Sequence, residues 1–166
     1  SILYMLQGNL SGKEVCPFRT PSCTDICLGT GSGHSALIKK GNVTNAVQVS
    51  RLRKTIMFTH HREYFLRKLL KELTKFVTKA EKEGVVPAFR FNGTSDVSFH
   101  TLLVPDTDKT FIEYFSNVEF YDYTKSKARM KRYLDGKFPK NYSVVFSYTP
   151  ELEQDSQEIL ALGGNV

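Results

Sequence analysis

One long helical pattern dominates the distribution of apolar and polar residues along the chain. From residue 65 to residue 80, apolar side chains recur at positions i, i+3, i+4 and i+7, and lysine and arginine occupy many of the positions between them. Gly84 follows, where a glycine commonly ends a helix. The pattern predicts an amphipathic helix whose core face is formed by Phe65, Leu66, Leu69, Leu70, Leu73, Phe76, Val77 and Ala80.

A further helix is predicted directly before this one. Thr44 is a residue type that caps a first helical turn, and we expect the helix to run to about Phe58. Its side facing the core would be formed by Val47, Leu52, Ile56 and Met57.

Four short segments rich in aromatic and β-branched residues predict strands. They are Ser1–Leu6, Val85–Phe91, Val118–Tyr123 and Tyr142–Tyr148. A short helix is expected near Phe111, and a basic helix ends at Leu134. A last helix opens at Thr149 as N-cap and Pro150 as first helical residue. Its apolar side is predicted to be Ile159, Leu160 and Leu162.

This alternation of strands and helices is typical of parallel β/α units. It predicts an α/β protein that is either a partial (β/α) barrel or an open parallel sheet, with a cysteine loop after the first strand. We expect a single domain over residues 1–166. The chain starts at Ser1 rather than Met, and Asn165-Val166 has the pattern of a new strand, so we expect the domain to be incomplete at both ends.

Composition and charge narrow the class of protein. The chain has 40% hydrophobic and 24% charged residues, as soluble globular proteins do. No apolar run approaches the roughly 18 residues of a membrane-spanning helix, so we expect no membrane association. The net charge is +6, and residues 51–82 hold ten Lys and Arg against three Glu. Such basic helices either bind nucleic acid or present an ordinary solvated face.

All three cysteines lie close together in the segment C-P-F-R-T-P-S-C-T-D-I-C-L-G-T-G-S-G-H, at Cys16, Cys23 and Cys27. Three sulfur donors in one loop are the ligands that zinc and iron–sulfur clusters prefer. His34 is a candidate fourth ligand or a hydrogen-bonding loop residue. The alternative is that the cysteines are ordinary thiols, or one disulfide and one spare thiol. An odd number of clustered cysteines favours a reducing cytoplasm over a secreted disulfide scaffold.

Polar residues follow the predicted strands. In parallel β/α folds, ligands bind at the carboxyl ends of the strands, where the cysteine loop would also lie. These ends carry N-G-T-S-D and Y-D-Y-T-K, which predict a site for a small polar ligand or redox partner. Its candidate residues are Asn92, Ser95, Asp96, Asp122, Tyr123 and Lys125. Asp96 and its neighbours are equally suited to plain turn and cap roles.

The combination of these segments resembles the phage-encoded gene product 88 family. The resemblance rests on the C-P…C…C-L segment, the helix with V-Q-x-S-R-x-R-K-T, N-G-T-S-D and F-Y-D-Y-T-K, and it covers nearly the whole chain. It implies a phage protein located in the cytoplasm of an infected bacterium. It carries over the three cysteines and the segments 92–96 and 121–125 as shared positions, and it implies no particular chemistry for them.

A more distant resemblance is to radical S-adenosylmethionine enzymes, in which three cysteines after the first strand hold a 4Fe–4S cluster. That resemblance implies an open fourth iron that binds S-adenosylmethionine. The spacing of the cysteines differs from the usual one, and N-G-T-S-D stands where that family has G-G-E-P. Whether the protein is an enzyme is therefore left open by the sequence.

Three hypotheses follow. The first is a 4Fe–4S protein whose cluster is held by Cys16, Cys23 and Cys27, with radical S-adenosylmethionine-like or electron-transfer chemistry. The second is a nucleic-acid-binding protein with a structural zinc site of three cysteines, with or without His34 as a fourth ligand. The third, which ranks last, is a hydrolase or nuclease that uses Asp96, Asp122 and Lys125 with a divalent cation.

Overall fold

The computed structural model of the protein describes residues 1–29 and 46–166. The described helices are α1 (Pro21–Asp25), α2 (Ala46–His60), α3 (Arg62–Lys82), α4 (Phe111–Tyr114), α5 (Lys127–Leu134) and α6 (Glu153–Ala161). Short 3-10 helices span Phe99–Thr101 and Pro150–Leu152. The strands are β1 (Ala88–Phe89), β2 (Glu119–Thr124) and β3 (Tyr142–Phe146).

The three strands form a small open parallel sheet in the order β1-β2-β3. Each strand lies next to the one before it in sequence, as the predicted β/α units require. Residues 1–3 run parallel to the other edge of β1, where Ile2 pairs with Arg90 and the Leu3 amide donates to the Arg90 carbonyl at 2.9 Å. The prediction of an open α/β fold is confirmed, although the segment predicted as the first strand makes only this isolated bridge.

The two faces of the sheet differ sharply. One face carries the buried residues that alternate along β2 and β3. Phe120, Tyr142, Val144 and Phe146 join the hydrophobic core, and Asp122 and Thr124 are buried polar groups on the same face. The stacked rings of Phe91 and Phe120, 5.1 Å apart, lie in this layer. The opposite face is exposed or half-buried and carries Ala88, Arg90, Tyr121, Tyr123, Ser143 and Val145. The helices therefore cover one face, and the other is open.

Helix α3 confirms its predicted core face. Phe65, Leu69, Leu73, Val77 and Ala80 are all buried. Three other predicted positions, at residues 66, 70 and 76, are half-buried and pack against the same core. Gly84 has a φ of 65°, which is the left-handed conformation expected of a glycine just after a helix.

The predicted core face of α2 is only half right. Leu52 and Met57 are half-buried, and Met57 packs against the core, but the other two predicted positions are exposed. Val47 and Ile56 are 39% and 41% exposed, and the buried residues of α2 are Gln48, Thr55 and Phe58. The error arose because apolar spacing alone cannot reveal that a buried helix face is polar. Thr44, the predicted cap, lies outside the described residues.

The last helix also departs from its prediction. Thr149 does occupy the N-cap position and Pro150 does open the element, but the first turn is a 3-10 helix and the Thr149 side chain makes no capping hydrogen bond. Leu160 and Leu162 are 56% and 54% exposed, and Ile159 alone of the predicted apolar side is buried.

Candidate functional site

We use the term carboxyl edge for the ends of β1, β2 and β3 together with the residues that directly follow them. The cysteine-bearing segment lies across this edge. The Cys16 thiol donates to the Thr94 carbonyl after β1 at 3.4 Å. Further along, the Thr20 hydroxyl meets the Thr149 hydroxyl after β3 at 3.2 Å. Residues 16–20 thus contact the residues that follow two of the strands. The cysteine-bearing segment therefore lies at the edge of the sheet where ligands bind in parallel α/β folds.

Two of the three sulfurs receive backbone hydrogen bonds. The Gly8 amide donates to Cys16 Sγ, and the Gly29 amide donates to Cys27 Sγ, each at 3.4 Å. Burial raises the pKa of the Cys16 thiol to about 11, and the nearby Cys27 adds to this rise. Cys23 lies in the short helix α1. All three cysteines are half-buried, and none of them forms a disulfide.

The Asp96 carboxylate ties the end of β2 to helix α5. It accepts hydrogen bonds from the Thr124 hydroxyl at 3.0 Å, from the Lys125 amide at 3.0 Å and from the Arg129 guanidinium. The residue is only 8% exposed. Because these partners occupy its oxygens, the contacts favour a structural role for Asp96. The Ser126 hydroxyl caps the same helix by accepting a hydrogen bond from the Arg129 amide.

Asn92 and Asp122 form a second buried polar pair. The backbone amide and the side-chain amide of Asn92 donate to the two carboxyl oxygens of Asp122, at 2.9 and 3.0 Å. The Tyr142 hydroxyl contacts the same carboxyl at 3.4 Å. Burial raises the pKa of Asp122 to about 7, although the Asn92 hydrogen bonds oppose the rise. Ser95 joins this group by donating to the Asn92 side chain at 2.9 Å.

Of the predicted ligand residues, Tyr123 is exposed, and Lys125, like Ser95, is half-buried. Tyr123 is 43% exposed on the open face of the sheet, and the Arg90 guanidinium lies 4.6 Å from its ring centroid. The Lys125 ammonium donates to the Ser147 hydroxyl at 2.6 Å. Arg90 also lies 4.0 Å from the Asp122 carboxyl. Lys125 and the Arg90–Tyr123 stack are groups suited to contact a polar or anionic ligand.

The structure therefore separates the predicted ligand residues into two kinds. Asn92, Asp96 and Asp122 are buried and connect the strand ends to neighbouring elements, whereas Tyr123 is exposed and Ser95 and Lys125 are half-buried. A sequence cannot distinguish these kinds, because a turn carboxylate that binds a ligand and one that binds a neighbouring helix belong to the same residue type. The structural role of Asp96 follows from its buried partner Arg129, which lies 33 residues away in the sequence.

Comparison with known proteins identifies the family of this chain and gives no related protein of known function. The family model for gene product 88 matches residues 2–165. The chain belongs to the gene product 88 family. No curated protein and no solved structure matched the chain, so the second resemblance, to radical S-adenosylmethionine enzymes, gained no support. Among the described residues of this family member, no helix is both long and apolar enough to cross a membrane.

The residues of this gene product 88 protein provide a partial fit to a thiophilic metal centre. Three thiols with two backbone amides directed at the sulfurs are a donor set that iron–sulfur clusters and zinc accept. Within residues 1–29 and 46–166, however, no three His, Cys, Asp or Glu side chains already stand together as a ligand group. His34, the candidate fourth ligand, lies outside the described residues.

Sequence reasoning missed the polar inner face of α2. Gln48, Arg51 and Thr55 recur at helical spacing, and Thr55 Oγ1 accepts from the Leu6 amide at 2.8 Å. The Gln48 side chain donates to the Gly29 carbonyl at 2.8 Å. The signal was present in the sequence as a polar stripe on a predicted helix, but such a stripe normally indicates the solvent side.

Proposed function

We propose that this protein binds an iron–sulfur cluster, of the 4Fe–4S type, through Cys16, Cys23 and Cys27. We further propose that its sheet is part of a partial (β/α) barrel whose open face lines a ligand cavity. In this arrangement the cluster would lie over the carboxyl edge, and three protein thiolates would leave one iron without a protein ligand.

The observation that carries the proposal is the pair of backbone amides directed at the sulfurs of Cys16 and Cys27. Hydrogen bonds to ligand sulfurs reduce the excess negative charge of a thiolate–iron site and tune its potential. Cys16 and Cys27 are also close enough for each to be sensitive to the charge of the other. Two like-charged thiolates in a half-buried place are unfavourable unless a cation lies between them.

The protonation of Cys16 gives the site a pH dependence. Its raised pKa, about 11, keeps the thiol protonated at neutral pH when no metal is bound. A thiol must lose its proton to become a ligand, so metal binding releases a proton here and strengthens as the pH rises. The Gly8 amide already donates to this sulfur, and it stabilises the thiolate that would remain.

The residues on the open side define the ligand that the site would accept. When bound, the cluster would supply one-electron chemistry and an open iron coordination position. The Lys125 ammonium and the Arg90–Tyr123 stack would orient a polar ligand by its anionic group. S-adenosylmethionine as that ligand is the narrower form of the proposal, and it remains a prediction.

The test is the metal content and colour of protein made and kept without oxygen. Iron and acid-labile sulfide should be present in equal amounts, and the protein should absorb near ~400 nm. Ser at Cys16, Cys23 or Cys27 should each remove most of the iron, because two thiolates hold a cluster poorly. Thr24→Ser is the matched control, since its hydroxyl lies in the same segment and the change keeps that group.

Colourless protein with one zinc per chain would overturn the iron–sulfur proposal. It would instead favour the zinc-binding alternative, with nucleic acid as the partner of the basic helices. That alternative predicts nucleic-acid binding that weakens steeply with salt. Full iron content in all three single Ser variants would contradict a shared site of either kind.

A further inference from the structure

A cluster of buried polar atoms without partners lies beside Cys27. Gln7 and Gln48 are 5% and 4% exposed. Within the part of the chain that the structure describes, both side-chain polar atoms of Gln7, the Oε1 of Gln48 and the Nε of Arg51 have no hydrogen-bond partner. Buried polar atoms in native proteins almost always have partners, so four such atoms in one place indicate that a binding partner is missing from the protein alone.

These side chains come from two parts of the fold and meet at Gly29. The Gly29 carbonyl accepts from Gln48 Nε2 at 2.8 Å and from an Arg51 terminal nitrogen at 3.3 Å. On its other side, a Cβ at position 29 would lie 2.3 Å from the Gln7 Cδ. Gln48 and Arg51 are three residues apart and share one face of α2. The cluster is therefore built around a glycine whose lack of a side chain leaves room for Gln7.

The unpaired atoms specify both donors and acceptors. Arg51 Nε and the Gln7 amide nitrogen are unpaired donors, whereas the Gln7 and Gln48 amide oxygens are unpaired acceptors. A plain carboxylate would satisfy the donors and leave the oxygens unpaired, and a plain amine would do the reverse. A ligand that satisfies all four atoms carries an acceptor group and an N–H group side by side.

The charge of Arg51 selects between neutral and anionic ligands. None of the ion pairs among the described residues includes Arg51. The sequence from residue 30 to residue 45 contains no Asp or Glu. The guanidinium stacks over the Tyr4 ring at 5.1 Å, and the Cys27 thiol also acts on its charge when that thiol is deprotonated. A half-buried cation of this kind favours a ligand with a carboxylate.

We propose that Gln7, Gln48 and Arg51 form a subsite for the head group of an α-amino acid, with Arg51 on its carboxylate and the glutamine oxygens on its ammonium group. The subsite lies next to Cys27, where Gly29 links the two. It does not require a bound cluster, because its proposed ligand contacts are made by Gln7, Gln48 and Arg51, although the charge of Cys27 also acts on Arg51.

Glycine is the minimal probe, and acetate and methylammonium are its two halves. In 15N-labelled protein, glycine should shift the side-chain signals of Gln7, Gln48 and Arg51, and it should bind about tenfold more tightly than either half. Arg51→Lys should weaken glycine binding by about tenfold, since the planar guanidinium is lost. Arg53→Lys, on the exposed side of the same helix, is the matched control and should bind glycine as the wild type does.

Each contrary result has a definite meaning. Equal binding of acetate and glycine would reduce the subsite to a plain carboxylate site and overturn the amino-acid assignment. Unmoved side-chain signals at saturating glycine, or equal affinities for the Arg51 and Arg53 variants, would overturn the subsite itself. Iron content is measured separately, so a failure here is distinguishable from a failure of the iron–sulfur proposal.

Discussion

Helices α2 and α3 pack against each other, yet the surfaces they bury differ in composition. Helix α3 turns five apolar residues into the core. Helix α2 buries the polar Gln48 and Thr55 together with Phe58, and it leaves Val47 and Ile56 exposed. Apolar burial is non-directional, so many combinations of side chains can form the layer beneath α3. Buried polar groups need partners atom by atom, and this requirement makes the α2 side and the carboxyl edge specific. Helix α3 thus contributes mainly apolar packing, whereas α2 also makes buried polar contacts with Leu6 and Gly29.

The largest expected effect is at the carboxyl edge. Asp96→Ala would leave the buried Arg129 guanidinium, which is 4% exposed, without its carboxylate. Removing one partner of such a pair should lower the free energy of unfolding by about 3–5 kcal/mol, measured by urea denaturation. Glu63→Ala removes an exposed ion pair on α3 and should leave stability nearly unchanged. An unaltered urea midpoint for Asp96→Ala, together with lost ligand binding, would instead make Asp96 a ligand residue.

The next effect tests the apolar layer itself. Leu73→Ala empties a site that is 1% exposed and should cost about 2–5 kcal/mol in the free energy of unfolding. Leu162→Ala is the matched control, because this leucine was predicted to be core but is 54% exposed. We expect the control to stay within ~0.5 kcal/mol. Similar losses for the two variants would remove the distinction between core and surface leucines.

A single hydroxyl tests the polar side of α2. Thr55→Val keeps the shape of the side chain but leaves the buried Leu6 amide without an acceptor, which should cost about 1–3 kcal/mol. Thr74→Val on α3 removes a hydroxyl that bonds only within its own helix, and it should change stability little. A neutral Thr55→Val would mean that the polar contact between α2 and residues 4–7 contributes nothing to the fold.

The smallest expected effect is on the slope of the free energy of unfolding against pH. Burial raises the pKa of Asp122 to about 7 and lowers the pKa of His100 to about 4. Between about pH 4 and 6.5 the unfolded chain has Asp122 ionised and His100 protonated, while the folded protein has both neutral. Asp122 therefore makes stability fall as pH rises through this range, and His100 makes it rise.

These two effects oppose each other in the wild type, so the single variants reveal them. Asp122→Asn should give a free energy of unfolding that increases from about pH 4 to about 6.5, and His100→Phe should give one that decreases. Urea denaturation at several pH values measures both slopes. Glu151 and Glu158 do not interfere greatly, because their pKa values, about 2, confine their effect to more acidic solutions. Identical slopes in the two variants would contradict the assignment.

The fold was largely predictable because its signals are local. Each signal comes from residues that are close together in sequence. Examples are the helical period of α3, the aromatic segments of β2 and β3, and the capping serine of α5. The candidate site was predictable only by position along the chain. Strand ends locate the 92–96 and 121–125 segments, but their roles depend on partners such as Arg129 and Tyr142, which are distant in sequence.

The family, the parallel β/α order and the grouping of three cysteines after the first extended segment could all be inferred from the sequence. The burial of Asp96 and Asp122 against internal partners, and the meeting of Gln7, Gln48 and Arg51 around Gly29, became visible in the folded chain. The physical reason is the range of the interactions. Helical and strand periods arise from neighbouring residues, whereas the burial of a polar group acquires its meaning from the atoms that distant parts of the chain place around it.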